Sequence, residues 1–186
     1  GALTSSALLT TREGAGGDGP YAIDIADVTN DGILDIVTAN ATSDDVTVLA
    51  GLGTGSFAPA AVYTTRVGAG GDTPRALELA DVTGDGLADV VTANSTSDDV
   101  TVLVANGAGG LNSPVRVSTL GTGGGDYPQG VTVADVTEDG QPDVITANTN
   151  DDTITILPGV AGGATFLTPI IISVAPGDQP IGVAVD

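Results

Sequence analysis

The sequence predicts an all-β chain of propeller blades, each of four antiparallel strands, with about 3.4 blades in 186 residues. Three observations predict it. An acidic nonapeptide recurs at a fixed step of 54 residues: Asp27-Val-Thr-Asn-Asp31-Gly32-Ile-Leu-Asp35, then Asp81 to Asp89, then Asp135 to Asp143. The same short runs of alternating apolar residues flank every copy, and alternation with period two is the mark of a strand. No segment keeps a 3.6-residue period long enough to read as a helix. Four short strands in a unit of about 50 residues fit a propeller blade; the coils of a β-solenoid, the rival architecture, are usually shorter.

Each unit opens on Gly-Asp-x-Pro, at Asp18, Asp72, Asp126 and Asp178, which reads as a turn between blades. The first strand follows, marked by Ile23 and Ile25, Leu77 and Leu79, Val131 and Val133, and Val183 and Val185. After the acidic loop comes a second strand, Asp-Ile-Val-Thr-Ala-Asn at 35–40, matched at 89–94 and 143–148. The Asp pairs 44/45, 98/99 and 151/152 read as solvated hairpin turns leading into a third strand. A Gly-rich link then reaches Phe57, Leu111 or Phe166 and a fourth strand. The domain frame is therefore a trailing fourth strand (1–17), blades at 18–71, 72–125 and 126–177, and the first strand of a following blade (178–186). A closed propeller typically needs 4 to 8 blades. The expected partners are further blades, from another copy or from sequence beyond these residues, because open strand edges recruit neighbours.

Composition narrows the function. The net charge is −20, and its acids are periodic instead of forming a tail. Four Arg and no Lys cannot neutralise phosphates, which argues against nucleic acid and against an anionic membrane surface. No apolar run is long enough to span a bilayer. With no His and no Cys the usual nucleophile–base pairs are missing, and identical carboxylates in every repeat suit a structural task, so no enzyme is expected. A chain that opens on Gly and holds no Met reads as processed or excised.

Each nonapeptide can wrap one cation. Carboxylates at positions 1, 5 and 9 are Asp27, Asp31 and Asp35, then Asp81, Asp85 and Asp89, then Asp135, Asp139 and Asp143. Position 7 (Ile33, Leu87, Gln141) offers a backbone carbonyl, and Gly32, Gly86 and Gly140 permit the sharp turn. Two unit charges about 4 Å apart near a surface repel by roughly 4 kcal/mol, so three in one loop call for a counter-ion. All-oxygen donors favour Ca²⁺ over Zn²⁺, at about one ion per complete repeat and three in all. Position 12 holds Thr38, Thr92 or Thr146, not the bidentate Glu of an EF-hand.

The loops and their flanking strands resemble the FG-GAP/VCBS repeats of integrin α-subunit propellers and bacterial surface proteins. The Gly-Thr-Gly-Ser-Phe57-Ala-Pro59 stretch resembles that family's G-x-G-x-F…P segment. The resemblance implies a β-propeller with calcium bound between the first and second strands of each blade. It also implies a ligand at position 3, usually Asn or Asp. Thr29, Thr83 and Thr137 stand there, and a hydroxyl is a poorer ligand than a carboxylate.

Asn40-Ala-Thr42 and Asn94-Ser-Thr96 are N-glycosylation acceptors expected on an exposed hairpin; the third repeat reads Asn148-Thr-Asn150 and lacks the signal. The favoured expectation is a non-enzymatic, extracellular or cell-surface, calcium-binding module used as a scaffold or adhesion surface for protein or glycan ligands. Two alternatives stand beside it. One is a glycosylated fibril whose protomers join through open strand edges. The other is a lectin-like propeller, for which Tyr21, Tyr63 and Tyr127 are the only tyrosines.

Overall fold

The computed structural model describes residues 17–66, 70–119 and 125–185. They form three four-stranded antiparallel sheets, with no helix among the described residues. Blade 1 is β1 (Pro20–Ala26), β2 (Asp35–Asn40), β3 (Asp45–Leu49) and β4 (Ala61–Thr64). Blade 2 repeats the order with β5 (Pro74–Ala80), β6 (Asp89–Asn94), β7 (Asp99–Leu103) and β8 (Val115–Ser118). Blade 3 is β9 (Pro128–Ala134), β10 (Asp143–Asn148), β11 (Thr153–Leu157) and β14 (Ile170–Ser173). A small extra hairpin, β12 (Gly159–Val160) with β13 (Thr165–Phe166), spans its last link. Single bridges from Gly51 to Phe57 and from Ala105 to Leu111 hold the same place in blades 1 and 2.

The strands form where the sequence alternates small β-branched residues. Proline, which has no N–H to give a ladder, stands at the first residue of each inner strand. The inner strands β1, β5 and β9 lie side by side, and two apolar layers fill the spaces between blades. Val37, Val46, Leu77, Val90 and Leu103 belong to the first layer, and Val91, Val100, Val131, Val144 and Leu157 to the second. The same repeat position changes exposure with its neighbour. Leu77, covered by blade 1, is 9% exposed, whereas Ile23 on the open face of blade 1 is 64% exposed.

Buried polar groups stitch the blades. In blade 2, Thr92 donates to Asn94 Oδ1 at 3.0 Å, and Asn94 Nδ2 donates to Asp99 at 2.7 Å and to Thr101 at 2.8 Å. Blade 1 repeats this with Thr38, Asn40, Asp45 and Thr47. Blade 3 repeats it with Thr153 in place of the aspartate. Thr101 and Thr155 hydroxyls then cross to the carbonyls of Thr65 and Thr119 in the preceding blade.

The structure corrects three expectations. Asn40 and Asn94 are fully buried and spend their amide nitrogens on the ladder, so neither is the exposed glycan acceptor predicted for it. Asp44, Asp45 and Asp99 are buried instead of forming solvated turns. Asp44 Oδ1 accepts the Asp72 and Thr73 amides of the next blade, both at 2.8 Å. Asp98 accepts the Tyr127 amide, and Asp152 those of Gly177 and Gln179. The turn aspartate is thus a latch from one blade to the next, held in the left-handed region with φ between 52° and 56° in all three blades. Finally, residues 178–185 run beside β9 but form no strand, because no described segment stands beyond them to pair with. The trailing strand expected at 1–17 lies almost wholly outside the described residues.

Replacing Asn94 by Ala takes a donor from the buried Asp99 carboxylate, which keeps Arg116, and the acceptor from the Thr92 hydroxyl, and is expected to cost about 2–3 kcal/mol in a denaturant titration. Asn148→Ala, which strands only hydroxyls, is expected to cost about half as much.

Candidate functional site

The three acidic loops occupy one position in every blade, joining the inner strand to the second: β1 to β2, β5 to β6 and β9 to β10. Their first carboxylate folds the loop over itself. Asp27 Oδ1 accepts the Asp31 amide at 3.1 Å and its Oδ2 accepts the Gly32 amide at 2.7 Å. Asp81 and Asp135 do the same for Asp85 and Gly86, and for Asp139 and Gly140. The fifth-position carboxylate caps the seventh residue: Asp31 accepts from Ile33, Asp85 from Leu87 and Asp139 from Gln141, each at 2.9 Å. Gly32, Gly86 and Gly140 have φ of 82°, 86° and 84°, and a Cβ there would meet open space. Glycine is required by the backbone conformation, not by crowding.

The ninth position differs in kind. Asp35, Asp89 and Asp143 are fully buried. Asp35 Oδ2 accepts the Val28 and Thr29 amides at 3.0 Å, while its Oδ1 reaches across the blade to the Gly51 amide at 2.8 Å. Asp89 holds Val82 and Ala105, and Asp143 holds Val136, Thr137 and Gly159. Each pins the acidic loop to the link between third and fourth strands. In blade 2 the carboxylates feel one another. Burial raises the Asp89 pKa, the Ala105 and Val82 amides lower it, and the Asp85 and Asp81 charges raise it again.

The donor set is all oxygen, as a hard cation requires. Thr29 adds a buried hydroxyl oxygen with no hydrogen-bond partner. Thr83 and Thr137 hydroxyls instead lie 3.4 Å from Asp81 and Asp143. Among the described residues, no three acidic side chains are gathered around a common metal position. The carboxylates meet loop amides; Asp35 Oδ2 and Asp143 Oδ2 each take two, whereas Asp27 Oδ2, Asp31 Oδ1 and Asp35 Oδ1 take one amide each and keep a second lone pair. The loops are thus compatible with calcium in donor chemistry, while their folded form is tied by amides.

Sequence comparison adds to this geometry. The model of the FG-GAP-like repeat matches residues 27–92 and 81–146, which take in all three acidic loops and most of the three blades. The chain belongs to the FG-GAP-like repeat family. No curated protein matches it by sequence. Among solved structures, this FG-GAP-like chain is similar to virginiamycin B lyase from Staphylococcus aureus, at 14% identity and a TM-score of 0.59, covering 90% of this chain and 46% of that one. It is also similar to BBS1N solved in complex with ARL6DN, at 14% identity and a TM-score of 0.56, covering 97% of this chain and 50% of that one. A lectin from Agrocybe aegerita that recognises non-reducing terminal N-acetylglucosamine matches at 25% identity and a TM-score of 0.52, covering 83% of this chain and 39% of that one. The FG-GAP-like chain thus spans half or less of each of these three structures. Together the strand order and these likenesses establish a propeller-like fold.

Sequence reading missed what the ninth-position aspartate does as a strut. The available signal was its place at the first residue of a strand otherwise made of apolar and neutral residues. Asp89→Ala is expected to cost about 3 kcal/mol, in chelator as well as in calcium, because one loop amide and one link amide, of Val82 and Ala105, rely on that buried carboxylate. Asp85→Asn keeps the loop cap and is expected to reduce only the stability increment that calcium adds. Paired denaturant curves with and without the ion separate the two roles.

Proposed function

We propose that this chain is a calcium-stiffened segment of an FG-GAP-like propeller, working outside the cell as a non-enzymatic scaffold or adhesion surface. One observation carries the reading. Three acidic loops of one spacing sit at one position in consecutive blades, each anchored by a buried carboxylate. Asp27, Asp31 and Asp35, with the Thr29 hydroxyl and the Ile33 carbonyl, would hold the first ion. Asp81, Thr83, Asp85, Leu87 and Asp89 would hold the second, and Asp135, Thr137, Asp139, Gln141 and Asp143 the third. Three ions would move the formal charge from −20 to −14, since each adds two. Extracellular calcium is abundant enough to fill even weak sites, which supports that location. The open apolar face of blade 1, with Ile23 and Ile25 more than half exposed, suits a further blade supplied by another copy or by additional sequence.

Ligand that binds only the folded state at 100 times its Kd adds about 2.7 kcal/mol per site. Melting in calcium is therefore expected to lie well above melting in chelator. Equal melting temperatures would remove calcium from the reading and leave a scaffold tied by amides alone.

A second reading has its own support. Blade 2 carries an open groove of about 410 Å³ lined by Ser97, Asp99, Arg116 and Ser118. The register places Val62 and Ile171 of the other blades where Arg116 stands. Arg116 pairs with Asp99, so the groove brings together a guanidinium, a carboxylate and hydroxyls with little net charge. Hydroxyls of a neutral sugar could both donate to and accept from such a set. The lectin likeness at 25% identity points the same way. Titration with N-acetylglucosamine is expected to shift the amide resonances of blade 2 and to leave the Arg116→Ala variant unmoved. Absence of shifts in the parent chain would end this reading.

A further inference from the structure

In the third repeat the acidic pair of the second-to-third-strand turn is displaced by one residue, with the turn length unchanged. Strand register makes Asp152 the counterpart of Asp44 and Asp98, and Thr153 the counterpart of Asp45 and Asp99. Asp151 therefore takes the place of Ser43 and Ser97. The Asn150 amide donates to the Asp126 carbonyl at 3.2 Å, which brings the Asp151 carboxyl against that of Asp126, the aspartate that opens the blade. Asp126 is 3% exposed, and its Oδ2 is buried without a hydrogen-bond partner. Two ionised carboxylates can only accept, so neither can satisfy the other. One proton between them makes a charge-assisted bond, which is shorter and stronger than a neutral one.

We propose that Asp126 and Asp151 form a proton site where blade 3 meets blade 2, a single shared proton tying the β10–β11 turn to the start of β9. Among the described residues no ion pair reaches Asp126. Thr119, at the end of blade 2, gives Asp126 a hydroxyl hydrogen bond, and Asp98 from the turn of blade 2 adds negative charge while holding the Tyr127 amide. Arg116 is engaged by Asp99. Asp152 is turned to the Gly177 and Gln179 amides. At the equivalent junction between blades 1 and 2, Arg66 meets Asp44; its repeat counterpart is Leu120, and residues 120–124 contain no charge. Burial, then Asp151 and Asp98, push the Asp126 carboxyl up to about 6 against the lowering pull of Thr119.

The sign follows from that elevation. A carboxyl whose folded pKa lies above its unfolded value adds stability that is complete below the ordinary carboxylate range and is lost as pH rises through about 6. Burial raises Asp89 and Glu78 as well, Glu78 with help from Asp24, so the whole chain shares some of this slope. Asp151→Ser isolates the pair, since it restores the residue used by the other two blades at an exposed position.

The test is melting temperature from pH 4.5 to 8 for the parent chain and Asp151→Ser, all in chelator. The serine variant is expected to melt roughly 2–4 °C above the parent at pH 7.5, with the gap closing or reversing by pH 5. Parallel curves would overturn the proposal. A carboxyl ¹³C titration of the parent chain guards against a misfolded variant: one aspartate is expected to titrate near 6, and a spectrum with every aspartate in the ordinary range would also overturn it. If replacing chelator with millimolar calcium abolishes the elevated titration, the two carboxylates are held ionised by a cation and the proton site is refuted.

Discussion

A buried carboxylate must be met by donors, and at the two ends of each blade in this chain those donors are chiefly backbone amides. Removing an ion from water costs several kcal/mol even after the protein relaxes. With four Arg and no Lys against 24 acids, side-chain cations cannot cover that cost. Asp35, Asp89 and Asp143 tie one end of every blade, where the acidic loop meets the link to the fourth strand. Asp44, Asp98 and Asp152 tie the other end, where one blade meets the start of the next. The apolar layers are made of small branched residues and hold the sheets face to face. The carboxylate–amide knots set where each sheet stops and in which register the next begins.

That arrangement explains why so acidic a chain can fold and why it sorts its charge. The nonapeptide loops lie at the ends of the inner strands, and the latch aspartates at their beginnings. Arg66 and Arg116, the cations that form ion pairs among the described residues, both stand at the latch end, against Asp44 and Asp99. Arg75 is there too, at the start of β5, its guanidinium 4.8 Å from the centre of the Tyr21 ring and 5.6 Å from that of Tyr127. Among the described residues, the loop end has carboxylates and amides without a paired cation. Any external ion would therefore relieve most repulsion at the loop end, which is where the calcium reading puts it.

The fold was legible because the repeat is long, regular and broken by glycine and proline at fixed places. A 54-residue step with three short alternating runs and an acidic turn leaves few architectures open. Most strand placements read from alternation agree with the sheets; the exception, at 178–186, needed a neighbour that alternation cannot supply. The site was legible only in part. Aspartate, glycine and threonine spell a loop, yet their spacing does not say whether a carboxylate turns outward to an ion or inward to an amide. Asn40 and Asn94 illustrate the limit well. Their three-residue acceptor motif is local, but burial is set by Asp45 or Asp99 and by Thr47 or Thr101 on the partner strand. The Asp-Asp pair of the third repeat misled for the opposite reason: identical residues occupy shifted positions, as both the 54-residue step and the strand register show.

Functional specialisation in such a chain is best sought where the repeat fails. A group that serves each blade equally must appear in each blade, as the ninth-position aspartate does. Arg116 and Asp151 each occur in one blade, at positions filled elsewhere by valine and isoleucine or by serine. Neither is needed to build a blade, since the other two are built without it. Asp151 even works against its own neighbourhood at neutral pH, adding a carboxylate beside one that is already buried and beside Asp98. A residue that opposes stability in a scaffold otherwise tuned to satisfy every carboxylate requires a reason beyond folding. A proton taken up at the edge of blade 3 supplies one, because it changes how firmly the β10–β11 turn holds the start of β9, beside blade 2, without altering how the sheet is made.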